Sequence, residues 1–300
     1  METVDIHTHG IGGFDTNTIT VEHILRIAHI QGSHGISKIL PAIYPASIEE
    51  MRANMTAVKK AMEIQRAKGI KVSSCTAPQE SCVFGVHLEG PFLNPSQCGA
   101  LNALSFLSPD INALKKLTEG FEDLIKIITV APELDGATKL IKAAADMGII
   151  VSMGHSDATC MEAEAGFHAG AKGVTHIFNA MRGFHHREPG IAGFGLTNPH
   201  IYIEMIADPY HLHKETINLI FRTKNPEKII IISDSVKDTP ETRNAKPEIE
   251  SQGIRDARGT LRGGSMTVVE SSRRLVDMGY EENIITNCIS RNPGMYLNGR

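Results

Sequence analysis

The chain contains 300 residues, of which 41% are hydrophobic and 21% charged, and its formal net charge at pH 7 is −4. This length exceeds that of a small domain and suits one α/β barrel. Lysine and arginine are scattered, so the sequence lacks the basic patch that a nucleic-acid partner requires. No signal peptide precedes Asp5, and the longest apolar runs, such as residues 229–232, are far too short to cross a bilayer. We therefore expect no nucleic-acid partner and no membrane partner.

The cysteines indicate a reducing compartment. Their odd number and irregular spacing, without a Cys-x-x-Cys pair, are typical of reduced thiols rather than of a disulfide framework. The sequence therefore predicts a cytoplasmic location. The cysteines are Cys75, Cys82, Cys98, Cys160 and Cys288.

Apolar runs alternate along the chain with stretches of helical periodicity. The predicted strands span residues 4–7, 38–43, 83–89, 126–131, 149–153, 173–176, 202–207 and 228–233. The predicted helices span about 20–34, 47–68, 109–118, 135–148, 161–169 and 214–222. Ser47 and Glu50 have the spacing of a capping box at the start of the second helix, and Asp135 is the expected cap of the fourth.

Strands and helices that alternate in this way predict a parallel sheet. Eight strands predict closure into a (β/α)₈ TIM-type barrel, and we expect residues 1–300 to form this single catalytic domain. Residues 237–262 are polar and contain Pro240, Pro247 and Gly253, so a long loop and candidate lid is expected after the eighth strand. In such a barrel the catalytic groups lie at the carboxyl ends of the strands.

Residue types that bind metals recur at the ends of these predicted strands. His7 and His9 are two residues apart on the first strand and therefore point to the same side. Two imidazoles placed in this way can hold one divalent ion, although core histidines give the same spacing. Acidic or imidazole groups also end four later strands, namely Glu89, His155, His176 and Asp234.

One carboxylate with two imidazoles leaves coordination positions open, which is typical of a catalytic metal site. A divalent ion in such a site lowers the pKa of its water toward neutrality. Asp234 follows an unbroken aliphatic strand, and its carboxylate is a candidate to take a proton from that water and pass it to a leaving group. His87 precedes the ligand carboxylate and is expected to be structural, whereas His185 and His186 are equally consistent with plain loop residues.

Taken together, these motifs resemble the N-acetylglucosamine-6-phosphate deacetylases of the amidohydrolase superfamily. The matching motifs run in the family's order and cover nearly the whole chain. His-Leu-Glu-Gly-Pro-Phe and Phe-Asn-Ala-Met are the most specific of them. The motifs occupy residues 5–10, 87–92, 154–156, 175–181 and 185–190, followed by Asp234.

The resemblance implies a divalent metal cofactor, with zinc expected and one or two ions bound. Glu89, His155 and His176 would hold the main ion. His7 and His9 would hold a second ion, as in those family members that have one.

The resemblance also implies roles around a phosphorylated amino sugar as the substrate. Asp234 would be the general acid and base, and His211 would polarise the amide carbonyl. Asn179 and Ala180 would meet the phosphate through backbone groups, and Arg187 would meet it through its charge.

Three features depart from the family pattern. Leu101 stands where the family usually has histidine, and Pro209 stands where it has glycine. The family's small β-sandwich, built from both chain ends, is expected to be missing here. Barrel surface that this domain would cover is then exposed, so we expect a homodimer or a higher oligomer.

The sequence therefore predicts metal-dependent hydrolysis that removes the N-acetyl group from N-acetylglucosamine-6-phosphate or a close amino-sugar phosphate. Two alternatives stay open. One is an amidohydrolase that acts on another N-acyl or cyclic-amide substrate. The other is a diverged barrel that binds a phosphorylated sugar with little turnover.

Overall fold

The structure is a computed structural model, and it describes residues 2–70, 79–241 and 252–299. Its strands are β1 Val4–Thr8, β2 Gly10–Ile11, β3 Phe14–Asp15, β4 Lys38–Ile43, β5 Cys82–Val83, β6 Val86–Glu89, β7 Ile125–Val130, β8 Ile150–Met153, β9 Gly173–Val174, β10 Tyr202–Ile206, β11 Ile229–Ile232, β12 Ile254–Arg255 and β13 Leu261–Gly263. Its α-helices are α1 Val21–Ser33, α2 Ile48–Ala67, α3 Ile111–Thr118, α4 Ala137–Asp146, α5 Cys160–Ala169, α6 Gly190–Thr197, α7 Lys214–Thr223, α8 Val268–Asp277, α9 Glu282–Cys288 and α10 Arg291–Leu297.

Eight parallel strands form a nearly closed barrel, in the order β1, β4, β6, β7, β8, β9, β10 and β11. The first and last strands meet through a parallel bridge between Thr8 and Ser235. Next to this bridge, Asp234 N donates to His7 O at 2.9 Å and His9 N donates to Ser235 O at 2.7 Å. The predicted (β/α)₈ barrel is confirmed. None of the described helices is both long and apolar enough to span a bilayer.

Side chains alternate between two faces along each barrel strand. In β11 all four isoleucines are buried, but Ile230 and Ile232 point into a small inner cluster, whereas Ile229 and Ile231 join the large cluster under the helices. A parallel strand covered on both faces reads as a continuous apolar run, which is why the sequence identifies this strand so clearly.

Two predicted helix starts have different outcomes. The capping box of α2 is present, because Ser47 Oγ accepts from Glu50 N while the Glu50 carboxylate accepts from Ser47 N. The predicted cap at Asp135 is wrong, because α4 begins at Ala137 after Gly136, whose φ is 82°. The residue before the helix has a left-handed backbone, which glycine adopts readily. The helix therefore starts one residue later than the aspartate at position 135 suggests.

Several boundaries also differ from the sequence prediction. The predicted strand 83–89 is split into β5 and β6, and the predicted strand 173–176 stops at Val174. Helix α6 was not predicted because its first seven residues are all buried, so it has no amphipathic pattern.

The predicted polar loop 237–262 is not loop throughout. Strands β12 and β13 pair there as an antiparallel hairpin. Their short apolar stretches gave too weak a pattern for prediction from sequence. Residues 242–251 of that loop, and Cys75, lie outside the described residues.

Candidate active site

The predicted metal ligands meet at the carboxyl end of the barrel. His7 belongs to β1 and Glu89 ends β6, while His155 and His176 follow β8 and β9. Asp234 follows β11 by two residues. The side chains of the first four are buried, and that of Asp234 is 13% exposed.

The loops that carry these groups have a strained backbone. A non-glycine residue with positive φ is uncommon, and such residues cluster at functional sites. Within the described chain, every non-glycine residue with positive φ lies in the loops after β8, β9 and β11. These residues are His155, His176, Phe178, Ala180 and Asp234, with φ between 30° and 73°.

The first ligand cluster consists of Glu89, His155 and His176. Glu89 Oε1 lies 3.1 Å from the Nε2 atoms of both histidines, which are themselves 3.1 Å apart. His155 Nδ1 donates to Gln97 O at 2.9 Å, which leaves its Nε2 lone pair facing the cluster. Two imidazoles and one carboxylate that converge in this way are a donor set that fits a divalent cation.

The second ligand cluster consists of His7, His9 and Asp234. The Nε2 atoms of the two histidines are 3.2 Å apart and lie 3.5 and 3.7 Å from Asp234 Oδ1. Glu89 connects the two clusters, since its Oε1 is 3.5 Å from His7 Nε2 and its Oε2 is 3.1 Å from His9 Nε2. The geometry therefore offers adjacent positions for two cations with Glu89 between them.

Burial and neighbouring charges shift the ionisation of these groups. Burial and the Glu89 carboxylate raise the pKa of Asp234 well above its usual range. Burial also acts to raise the pKa of Glu89, but His155 and His9 outweigh it and hold that pKa well below its usual range. Glu89 is thus the carboxylate that stays ionised, and Asp234 is the one positioned to exchange a proton.

His211 is held by a buried carboxylate. Its Nδ1 lies 3.0 Å from both oxygens of Asp208, which also accepts from Ser265 N at 3.0 Å. Burial acts to raise the pKa of Asp208, but the hydrogen bonds from His211 and Ser265 prevail and lower it to about 2. Asp208 therefore stays charged and keeps a proton on His211 Nδ1.

A cavity of about 240 Å³ opens over both ligand clusters. The predicted substrate residues Asn179, Ala180 and His211 line it, and so does Leu101. Arg187 does not: it lies in an exposed loop, where its Nη1 is 2.9 Å from His186 Nε2.

Three polar or aromatic residues of the cavity lining were among those that sequence analysis did not find. Tyr44 stacks on His9 with ring centroids 3.9 Å apart, and Arg255 and Arg262 reach the cavity from the β12–β13 hairpin. A single tyrosine after a strand carries no distinctive signal, and the two arginines belong to a segment read as loop.

Comparison with known proteins identifies the class. A model of the amidohydrolase family matches residues 3–294. The chain therefore belongs to the amidohydrolase family, as the barrel and its histidine–carboxylate clusters indicate.

Within that family, the similar proteins are deacetylases of amino-sugar phosphates. The chain is 30% identical to N-acetylgalactosamine-6-phosphate deacetylase of Escherichia coli O157:H7 over 92% of its length and 71% of that protein. It is 32% identical to N-acetylglucosamine-6-phosphate deacetylase of Bacillus subtilis (strain 168) over 88% of its length. That match covers 61% of the Bacillus protein, so the chain spans less than two thirds of its length.

Solved structures agree with this result. N-acetyl-D-glucosamine-6-phosphate deacetylase from Mycobacterium smegmatis, a variant in complex with N-acetyl-D-glucosamine-6-phosphate, superposes with a TM-score of 0.83 at 26% identity. The superposition covers 99% of this chain and 77% of that one. The deacetylase from Thermotoga maritima has a TM-score of 0.84 over 99% of this chain and 78% of its own, at 24% identity, and shows the shared fold.

Proposed function

We propose that this protein hydrolyses the N-acetyl group of N-acetylglucosamine-6-phosphate, or of a close amino-sugar phosphate, and releases acetate and the free amine. The single observation that carries the proposal is the pair of ligand clusters that share Glu89 at the floor of the cavity. The identity with deacetylases of this substrate class supports it.

Glu89, His155 and His176 would hold the main divalent ion, and His7 and His9 would hold a second. Zinc is the proposed metal because imidazole with carboxylate is a donor set that zinc accepts. When bound, the ion supplies Lewis-acid chemistry, which makes a water nucleophilic near neutral pH and polarises a carbonyl oxygen.

The chain's own residues would move the proton and orient the acyl group. Asp234 faces the cavity from the ligand cluster, where its carboxylate can take the proton of the attacking water and deliver it to the departing amine. His211 lines the same cavity, and its ring is oriented by Asp208 so that it can hydrogen-bond the acyl oxygen.

The phosphate would meet Asn179 and Ala180, which line the cavity. We retain Arg187 as a proposed phosphate ligand on the strength of its motif, although it lies in an exposed loop outside the cavity lining. Its guanidinium has a planar fork that matches a phosphate group.

A second candidate function is hydrolysis of another N-acyl or cyclic-amide substrate. Leu101 favours it, because this side chain lines the cavity and offers no hydrogen bond to a polar substrate. A barrel that binds a phosphorylated sugar with little turnover is the third possibility.

One experiment separates the three. The purified protein is assayed for bound metal and for acetate release from N-acetylglucosamine-6-phosphate, its galacto epimer and the unphosphorylated sugar. Acetate release that requires the phosphate and a divalent ion supports the proposal. Turnover of other amides alone supports the second function, and metal or sugar-phosphate binding without turnover supports the third.

We also propose a homo-oligomer and a cytoplasmic location. Exposed apolar side chains support the first, since Leu104 is 94% exposed, Met161 78% and Phe184 54%. The free thiols of Cys98, Cys160 and Cys288 support the second. Light scattering at micromolar concentration tests the oligomer, and a stable monomer contradicts it.

A further inference from the structure

Two buried atoms beneath the two ligand clusters lack a hydrogen-bond partner and face each other. They are His7 Nδ1 and Glu204 Oε2, which lie 3.7 Å apart. Both side chains are fully buried from bulk solvent. A buried polar atom without a hydrogen bond destabilises the fold, so two such atoms that face each other call for an explanation.

The ring of His7 can bind a metal on one side only. Its Nε2 points at the second ligand cluster, 3.2 Å from His9 Nε2 and 3.5 Å from Glu89 Oε1. A metal ligand at Nε2 must offer a lone pair there, so a neutral ring carries its hydrogen on Nδ1. The Nδ1–H then needs an acceptor, and Glu204 Oε2 is the acceptor that the barrel interior provides.

Glu204 and His87 also come close enough to His7 to suggest a third metal cluster. The hydrogen bonds of the His87 ring exclude a third metal site. Its Nδ1 lies 3.1 Å from Ile6 O and its Nε2 lies 2.8 Å from Thr129 Oγ1, so both nitrogens are already hydrogen-bonded. His87 has no lone pair free for a cation, and the group is a hydrogen-bond network.

The network links His87 to the other oxygen of Glu204. Five contacts, given below, make up this network, and each needs one hydrogen. The hydroxyls of Thr129, Thr175 and Ser152 and the neutral imidazole of His87 supply four hydrogens, so the fifth lies on Glu204 Oε1 or on His87. In either case Glu204 Oε2 is left as an acceptor. The contacts run from Ile6 O to His87 (3.1 Å), Thr129 (2.8 Å), Thr175 (2.9 Å), Ser152 (2.7 Å) and Glu204 Oε1 (3.1 Å).

We propose that Glu204 is a positioning residue that accepts a hydrogen bond from His7 Nδ1 and thereby orients His7 toward the second metal ion. Closing the gap of 3.7 Å to a hydrogen-bond distance takes a shift of about 0.5–1 Å between the two side chains. The inference rests on the proposed function, because it assigns a partner to one of the metal ligands proposed there. A carboxyl partner of this kind typically changes metal affinity ten- to a hundredfold.

The test compares Glu204→Leu with Glu204→Gln. Leucine removes the acceptor. Glutamine keeps a carbonyl oxygen for His7, and its amide N–H supplies the fifth hydrogen of the network. Zn²⁺ stoichiometry and the two dissociation constants are measured by chelator competition on the full chain. We expect Glu204→Leu to weaken the second ion about ten- to a hundredfold and to change the first by less than about threefold, while Glu204→Gln stays near the wild type.

A second measurement does not depend on the variant folding. In the zinc-loaded wild type labelled with ¹⁵N-histidine, His7 Nδ1 is expected to carry a hydrogen protected from exchange with water. An unprotonated Nδ1, or an affinity of Glu204→Leu for the second ion that equals that of the wild type, overturns the inference. A wild type that binds one ion overturns it too but leaves the proposed function intact, whereas a wild type that binds no ion defeats the proposed function itself.

Discussion

At the scale of single residues, the site depends on two carboxylates whose pKa values are shifted in opposite directions. Imidazole nitrogens surround the Glu89 carboxylate, whereas Asp234 lies close to the negative charge of Glu89. Both lie at the carboxyl ends of parallel strands of the same barrel, so the difference comes from their neighbours rather than from their positions in the fold. Such a pair is suited to divide the roles of ligand and proton carrier.

We expect Asp234→Asn to keep the ion at Glu89, His155 and His176 but to lower kcat by about two to four orders of magnitude. Asparagine nearly preserves the shape of aspartate but cannot accept the proton of the water. Acetate release and metal content, measured on the same preparation, check this. A near-normal kcat with full metal content would assign the base role to another group.

We expect Asp208→Asn to lower stability in a pH-dependent way. The folded pKa of Asp208, about 2, lies below its ordinary value of 3.8, so its contribution is present above pH 3.8 and is lost as the pH falls toward 2. The difference corresponds to about 2.5 kcal/mol.

Denaturant unfolding at pH 6 and pH 3 tests the expectation. The wild type should exceed Asp208→Asn by about 2.5 kcal/mol at pH 6 and by clearly less at pH 3. Asp146→Asn serves as the control, because it removes only a surface pair with Lys142 and should change stability by about 0.5 kcal/mol or less. A pH-independent gap between wild type and Asp208→Asn would contradict the assignment.

At the scale of elements, the hairpin of β12 and β13 supports the strand end that carries Asp234. Gly264 follows β13, and its N–H donates to Asp234 O at 2.7 Å. A parallel bridge joins Gly264 to Ser235, and Ser235 also forms the bridge to Thr8 that closes the barrel. The hairpin thus packs against the segment after β11 that carries Asp234.

We expect Gly264→Ala to disturb the site through this contact. An added Cβ would lie 1.9 Å from Ser233 O, which is far inside contact distance and is backbone that cannot rotate away. The segment that holds Asp234 must then shift, so kcat should fall at least tenfold, because displacements of about one ångström cost up to a hundredfold.

Gly294→Ala is the matched control. Gly294 lies in a helix, and an added Cβ there meets nothing within 4 Å, so we expect unchanged kcat and about 0.5–1 kcal/mol of added stability. If both variants keep wild-type kcat, the hairpin does not hold Asp234 in place.

At the scale of the whole molecule, the ligand clusters join distant parts of the chain. Their residues come from β1, from the end of β6 and from the segments after β8, β9 and β11, so they lie on strands around much of the barrel. An ion bound among them links these strands in the folded state only, so binding and folding are coupled.

We therefore expect removal of the metal by a chelator to lower Tm and addition of Zn²⁺ to restore it. At a free ion concentration of one hundred times Kd the gain is about 2.7 kcal/mol. For a chain of this size that corresponds to roughly 5–10 °C. Calorimetry checks this, with Glu89→Gln as the control, because the shared ligand is lost and the Zn²⁺ response should disappear. A full response in Glu89→Gln would place the ion elsewhere.

How much of this structure can be predicted from the sequence depends on how far apart in the chain the interacting residues are. The sequence by itself determined the eight strands, their parallel barrel and the residue types at strand ends, because hydrophobic periodicity and the spacing of His7 and His9 are local properties. Only the tertiary structure decided that Glu89 lies between two ligand clusters and that the ring of His87 has no free nitrogen. It also decided that Arg262 rather than Arg187 lines the cavity, because contacts between residues far apart in the chain leave no periodic signal in it.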